Sequence, residues 1–122
     1  MEPGNSSLRR IIAATGHSMR GLKACWVNEA AFRQNSTLLA VLFVAAFFVA
    51  RDPQQWLLLV VPPLLLLIVE LLNSAIETVV DRIGTDHNEL SGRAKDMGSA
   101  AVFVCLVLIG LCWLVILWTN YS

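Results

Sequence analysis

Three long stretches of this chain carry no charged side chain, and that pattern constrains its fold more than any motif. The first lies between Arg33 and Arg51, the second between Asp52 and Glu70, and the third runs from Met97 to the C-terminus. The first two hold 17 residues each, near the lower limit for a helix that crosses a bilayer core. The composition agrees: 57% of the 122 residues are hydrophobic and 15% charged, against about 45–50% and about 25% in ordinary soluble domains. A soluble enzyme, a disordered tail and a nucleic-acid module are poor fits to that balance. Nine Lys and Arg offset nine Asp and Glu, so no global field draws an acidic partner. Glu2, Arg9 and Arg10 interrupt the apolar centre that a signal peptide needs. Cys25, Cys105 and Cys112 are odd in number and lack CxxC spacing, so they read as small buried hydrophobes rather than a disulfide framework.

The second stretch need not stop at its carboxylate. From Trp56 to Arg82 the helical pattern is largely unbroken over 27 residues, roughly 40 Å of helix at 1.5 Å per residue. About 30 Å of that fits in hydrocarbon, so the last turns enter the headgroup region. Pro62-Pro63 should kink this helix, with neighbouring helices absorbing the lost donors. Upstream, Leu8, Ile11, Ile12, Thr15, Met19, Leu22 and Trp26 share one helical face while Arg9, Arg10, His17 and Arg20 point elsewhere. That is the pattern of a helix lying in the membrane surface. The expected fold is an all-α membrane protein forming one domain over 1–122: a surface helix at about 6–31, then helices at about 35–50, 54–82 and 87–119 containing the three spans. Lys and Arg concentrate before the first span and between the second and third. This places the N-terminus in the cytoplasm and the C-terminus outside. Trp56, Trp113, Trp118 and Tyr121 then gather towards the outer interface.

Chemistry is expected at Glu70, Asn73, Glu77 and Asp81. Their spacings of 3, 4 and 4 put all of them on one narrow strip of the second spanning helix. A charge at membrane depth costs at least ~2.5 kcal/mol, so something positive must compensate. Pairing with Arg or Lys is one answer; a divalent cation is the stronger one, because hard oxygen ligands suit Mg²⁺. A second cluster, Glu89 to Asp96, carries Arg93 and Lys95 just before the third span. On that helix Ala94, Gly98, Ala101 and Cys105 form a small-residue stripe that allows close packing. Glu29, in Asn28-Glu29-Ala30-Ala31-Phe32-Arg33-Gln34, also falls at headgroup level. Carboxylates with Lys and Arg at a cytoplasmic membrane face point to metal-bound phosphate. GxxxxGK[ST], GxGxxG and the soluble-kinase signatures are absent from the sequence. His17 and His87 are too few and too poorly spaced for zinc.

Two longer strings carry a resemblance. Glu70-x-x-Asn73-Ser74-Ala75-Ile76-Glu77-x-x-x-Asp81-Arg82 and Glu89-Leu90-Ser91-Gly92-Arg93-Ala94-Lys95-Asp96-Met97-Gly98-Ser99-Ala100-Ala101 resemble the prokaryotic integral-membrane diacylglycerol kinases, and the block around Glu29 matches a third family segment. The likeness extends from about Arg9 to Trp118. It implies a homotrimer in the bacterial inner membrane, with active sites shared between neighbours, that uses ATP to convert diacylglycerol to phosphatidic acid. By position it makes Glu70 a general base for the lipid hydroxyl, Glu29 and Glu77 the Mg²⁺ ligands, and Asn73, Lys95 and Asp96 polar catalytic residues. Nucleotide contacts then fall to Arg10, His17, Glu29, Glu77 and Lys95, and lipid contacts to Arg10, Gln34, Glu70 and Ser99. Three positions depart from the family pattern: Asn35 replaces an acid, Asn88 a histidine, and His17 an aromatic. Two rival readings accompany this one: an undecaprenol kinase, and a non-enzymatic pore or accessory subunit whose charged strip serves ion passage or assembly.

Overall fold

The computed structural model describes residues 3–122, with side chains from Ser6 onward. Met1 and Glu2, the latter part of the argument against a signal peptide, lie outside the described residues. The chain forms four helices: α1 (Pro3–Asn28), α2 (Ala30–Val49), α3 (Pro53–Ile83) and α4 (Glu89–Tyr121). The last three are long and apolar enough to cross a membrane.

Each break has a local cause. Between α1 and α2 the single residue Glu29 adopts extended geometry, with φ −120° and ψ 108°. Arg33 Nη1 reaches back from α2 to donate to the carbonyls of Trp26 (2.6 Å) and Val27 (3.2 Å), satisfying acceptors that a helix C-terminus leaves unpaired. The break therefore precedes the expected boundary near residue 31, and residues 30–34 belong to the first spanning helix. α3 opens with Pro53 behind the N-cap Asp52, whose carboxylate accepts from Gln55 N at 2.8 Å. α4 opens on Asn88, which accepts from Leu90 N (2.9 Å) and Ser91 N (3.1 Å). The departure from histidine at position 88 thus supplies a helix cap.

α3 is the centre of the bundle, packed on α4 along most of its length and on α2 on its other side. One apolar cluster joins Ala46, Leu59, Val60 and Ile116; a second joins Leu66, Cys105 and Ile109. Around them Phe48, Phe103, Leu114 and Trp118 point outward and stay exposed, the arrangement expected where the outer solvent is lipid rather than water. α1 stands largely off the bundle. Its stripe Leu8, Ile11, Ile12, Met19 and Trp26 is exposed, and among its described side chains only Cys25 is buried.

α3 continues through Pro62 and Pro63, both buried. Pro63 has no N–H, so the Leu59 carbonyl one turn back loses its helical donor. The Trp113 indole on α4 takes that place, donating from Nε1 to Leu59 O at 3.0 Å. This indole turns into the bundle, away from the interfacial role expected of it. Trp56 packs against Phe43 and Phe47, with ring centroids 5.7 and 5.5 Å away.

Near the α2–α3 turn the three spanning helices are tied by amides. Asn120 is only 6% exposed. Its Nδ2 donates to Val49 O and Gln55 Oε1, both at 2.9 Å, while Gln55 Nε2 donates to Asn120 Oδ1 at 2.9 Å. Arg51 donates to the Asn120 carbonyl and lies 5.5 Å from the centre of the Tyr121 ring.

Candidate functional site

The opposite end of the bundle gathers the acidic residues. Glu70 is the one buried carboxylate among the described residues, 4% exposed on the α3 face that continues the core from Leu66. Glu77, two turns later, and Glu29, at the α1–α2 corner, are half-buried and lie within electrostatic reach of it. Two segments remote in sequence therefore bring three carboxylates into one region. The Asn35 side chain of α2 is a polar neighbour of Glu70, a role spacing alone does not reveal. Below them Cys25 donates from Sγ to Ser74 Oγ at 3.5 Å, holding the end of α1 against α3. Burial pushes the Cys25 thiol above its usual range, so it stays protonated and acts as packing.

The fourth member of the strip behaves differently. Asp81 Oδ1 is 2.8 Å from Lys95 Nζ, and Lys95 is also within electrostatic reach of Glu77. This pair lines a hollow of about 440 Å³ with Val80, Gly84, Asn88 and Ser91, where the exposed α3–α4 loop begins and ends. Arg93 also pairs with Glu89, at 4.0 Å on the surface of α4. Glu29, Glu70 and Glu77 are in neither pair. Lysine pairing thus accounts for one carboxylate and leaves the other three without an ion-pair partner among the described residues.

Asn73 sits between Glu70 and Glu77 on α3 and lines an apolar groove of about 500 Å³ with Val69, Leu72, Ile76, Ala94, Met97 and Gly98. Its Oδ1 is shielded from solvent without a hydrogen-bond donor. Asp96 turns to a different hollow, of about 630 Å³, shared with Glu89, Arg93 and Met97. Gln34 and Ser99 are exposed. Arg10 and His17 are exposed on α1, where His17 Nδ1 lies 2.6 Å from Arg20 Nη2. Arg10 lies eighteen positions before Asn28 at the end of α1, about 27 Å of helix. Within one chain, then, Glu29, Glu70, Asn73, Glu77 and Lys95 assemble at one end, whereas Arg10 and His17 lie well away along α1 and Asp96 faces another side of α4.

The donor set fits a divalent cation. An excess of carboxylate oxygen with no ion-pair partner suits a hard metal, and Glu29 and Glu77 are the more accessible pair. Among the described residues of one chain no group of three or more His, Cys, Asp or Glu is placed to hold a metal ion.

Comparison with known proteins converges on one family. A model described as prokaryotic diacylglycerol kinase matches residues 16–117. The chain is 46% identical over 122 residues to a protein named diacylglycerol kinase from Escherichia coli (strain K12), covering all of both chains. It is 48% identical over 114 residues to one of that name from Pseudomonas aeruginosa, covering 93% of each. A Helicobacter pylori protein, also named diacylglycerol kinase, is 40% identical over 119 residues, covering 98% of this chain and 89% of the relative.

Proposed function

The chain belongs to the prokaryotic diacylglycerol kinase family, and on that premise we propose how its residues carry the transfer. It is a bacterial membrane enzyme that phosphorylates diacylglycerol, with ATP as the donor. The proposed site lies where α3 leaves the hydrocarbon, because the two substrates arrive from different phases. Diacylglycerol is held by its acyl chains and presents its hydroxyl at the interface, while ATP arrives from the aqueous side. The observation that carries this reading is the trio Glu29, Glu70 and Glu77, unpaired among the described residues, beside the Lys95–Asp81 pair.

Phosphoryl transfer depends on in-line positioning and charge neutralisation more than on covalent chemistry. In the proposed mechanism Glu70, deepest in the strip, accepts the proton of the lipid hydroxyl as its oxygen attacks the γ-phosphorus. The bond from that phosphorus to the ADP oxygen breaks, giving phosphatidic acid and ADP. Lys95 neutralises charge on the transferring phosphoryl group, exchanging part of its contact with Asp81 for the nucleotide. Asn73 orients polar groups between Glu70 and Glu77, and Asp96 supports the same chemistry. Glu29 and Glu77 would hold Mg²⁺, which when bound supplies charge neutralisation of the phosphate oxygens. Gln34 and Ser99 are assigned to the lipid.

The enzyme is further proposed to act as a homotrimer in the inner membrane, with its N-terminus in the cytoplasm, its C-terminus outside, and α1 lying in the membrane surface. The exposed stripe of α1 supports that placement. Arg10, His17 and Asp96 are turned or spaced away from their own chain's strip, which favours their serving a neighbour's site. Purified protein supplied with Mg²⁺, labelled ATP, diacylglycerol and undecaprenol in competition should label phosphatidic acid; predominant undecaprenyl phosphate would reassign the acceptor. Crosslinking in native membranes should trap trimers, and monomer alone would overturn the shared site.

A further inference from the structure

α4 passes α3 at Gly98, and Asn73 sits directly across from it. A methyl group added to Gly98 would lie 2.0 Å from Asn73 Oδ1 and 3.0 Å from its Cγ, far inside ordinary contact. Gly16, Gly21, Gly84, Gly92 and Gly110 are not used this way. Gly21, Gly84, Gly92 and Gly110 would meet nothing within 4 Å, and Gly16 only the end of Arg20 at 3.5 Å. The carboxamide oxygen thus occupies the space that a side chain at 98 would fill. It is also shielded from solvent and meets no donor within its own chain, an unfavourable state for a polar atom. Packing stability alone gives no reason to keep it there. Asn73 is flanked on its own helix by Glu70 and Glu77, one turn to either side.

We propose that Gly98 is a positioning residue for phosphoryl transfer: its missing side chain is the seat that holds the Asn73 carboxamide in one orientation between Glu70 and Glu77. The inference rests on the proposed role of Asn73 and adds to it the partner helix that sets its geometry. The atoms a new methyl would strike first are the far end of the Asn73 side chain, and no backbone atom of α3 is among the three nearest. An alanine at 98 therefore turns the carboxamide out of its seat while the two helices stay nearly in place. Its effect falls on the chemistry rather than on substrate affinity.

A double-mutant cycle tests this on the purified full-length enzyme, with kcat, KM for MgATP and diacylglycerol, and the unfolding midpoint measured for each variant. Asn73→Ala should lower kcat by about tenfold or more. Gly98→Ala should lower kcat to a similar extent, with KM values and midpoint close to those of the parent. The double variant should be no slower than Asn73→Ala, because the methyl then has no carboxamide to displace. Losses that multiply in the double variant, or full kcat in Gly98→Ala, would overturn the inference while leaving Asn73 in the site. Full kcat in Asn73→Ala would instead remove Asn73 from the mechanism, and the role of Gly98 with it. Should Gly98→Ala alone fail to fold, recovery of fold in the double variant with the kcat of Asn73→Ala supports the seat, and failure to recover overturns it.

Discussion

The two ends of this bundle hold their polar groups in opposite ways. At the Asn120 end, three helices share a set of amides: Asn120 and Gln55 bond reciprocally, Val49 contributes a carbonyl, and Arg51 caps the last helix, although the buried Trp56 indole N–H beside them finds no acceptor. At the Glu70 end, three carboxylates share a region with no cation bonded to them among the described residues, and the shielded Asn73 Oδ1 meets no donor within the chain. Both ends are formed by the same helices, so neither composition nor helix packing explains the contrast. A satisfied network holds structure, while a site must leave charge and hydrogen-bonding capacity for its substrates. Under the proposed function the clasp end is scaffold and the acidic end machinery, and the division can be attacked from both sides.

The strongest attack is on Glu70. Glu70→Gln should lower kcat by about 10²-fold or more, while MgATP binding, followed by nucleotide fluorescence or calorimetry, stays near the parent value. Full turnover in that variant would remove the base. At the other end, Asn120→Ala should lower unfolding stability by ~2 kcal/mol, because it strands the Gln55 amide and the Val49 carbonyl. Its kcat per folded enzyme should be unchanged; a specific loss of kcat would mean that the clasp takes part in the chemistry. Glu77→Gln should raise the half-saturating Mg²⁺ concentration by about tenfold, and an unaltered titration would count against a ligand role. The smallest change is Trp113→Phe, expected to cost ~1 kcal/mol by leaving the Leu59 carbonyl bare, with kcat untouched.

The helices and the acidic strip were legible in the sequence for a simple reason. Hydrophobic runs and 3–4 spacings are local, and a helix preserves them. Glu70, Asn73 and Glu77 lie on one face because the backbone between them leaves no alternative. What stayed hidden depends on chain segments that meet only after folding. The break at Glu29 carries no proline or glycine; it is held by Arg33 reaching back six and seven residues. Asn35 stood out as a departure from a family pattern, yet its nearness to Glu70 is a tertiary fact. The small-residue stripe on α4 was visible, but which of its members met Asn73 was not. Nothing in the sequence marks Asn120 as a clasp, because its partners lie 65 or more positions away.

The indole of Trp113 on the Leu59 carbonyl has one more bearing on the enzyme. A rod that slid past its neighbour by a single turn, about 5.4 Å, would uncouple that bond and strand an oxygen in oil. Pro63 thereby makes α4 countable against α3, like a notch on a ruler. Lys95 lies eighteen positions up the same rod from Trp113, so the height of its ammonium along the bundle is indexed to an imino acid on another helix.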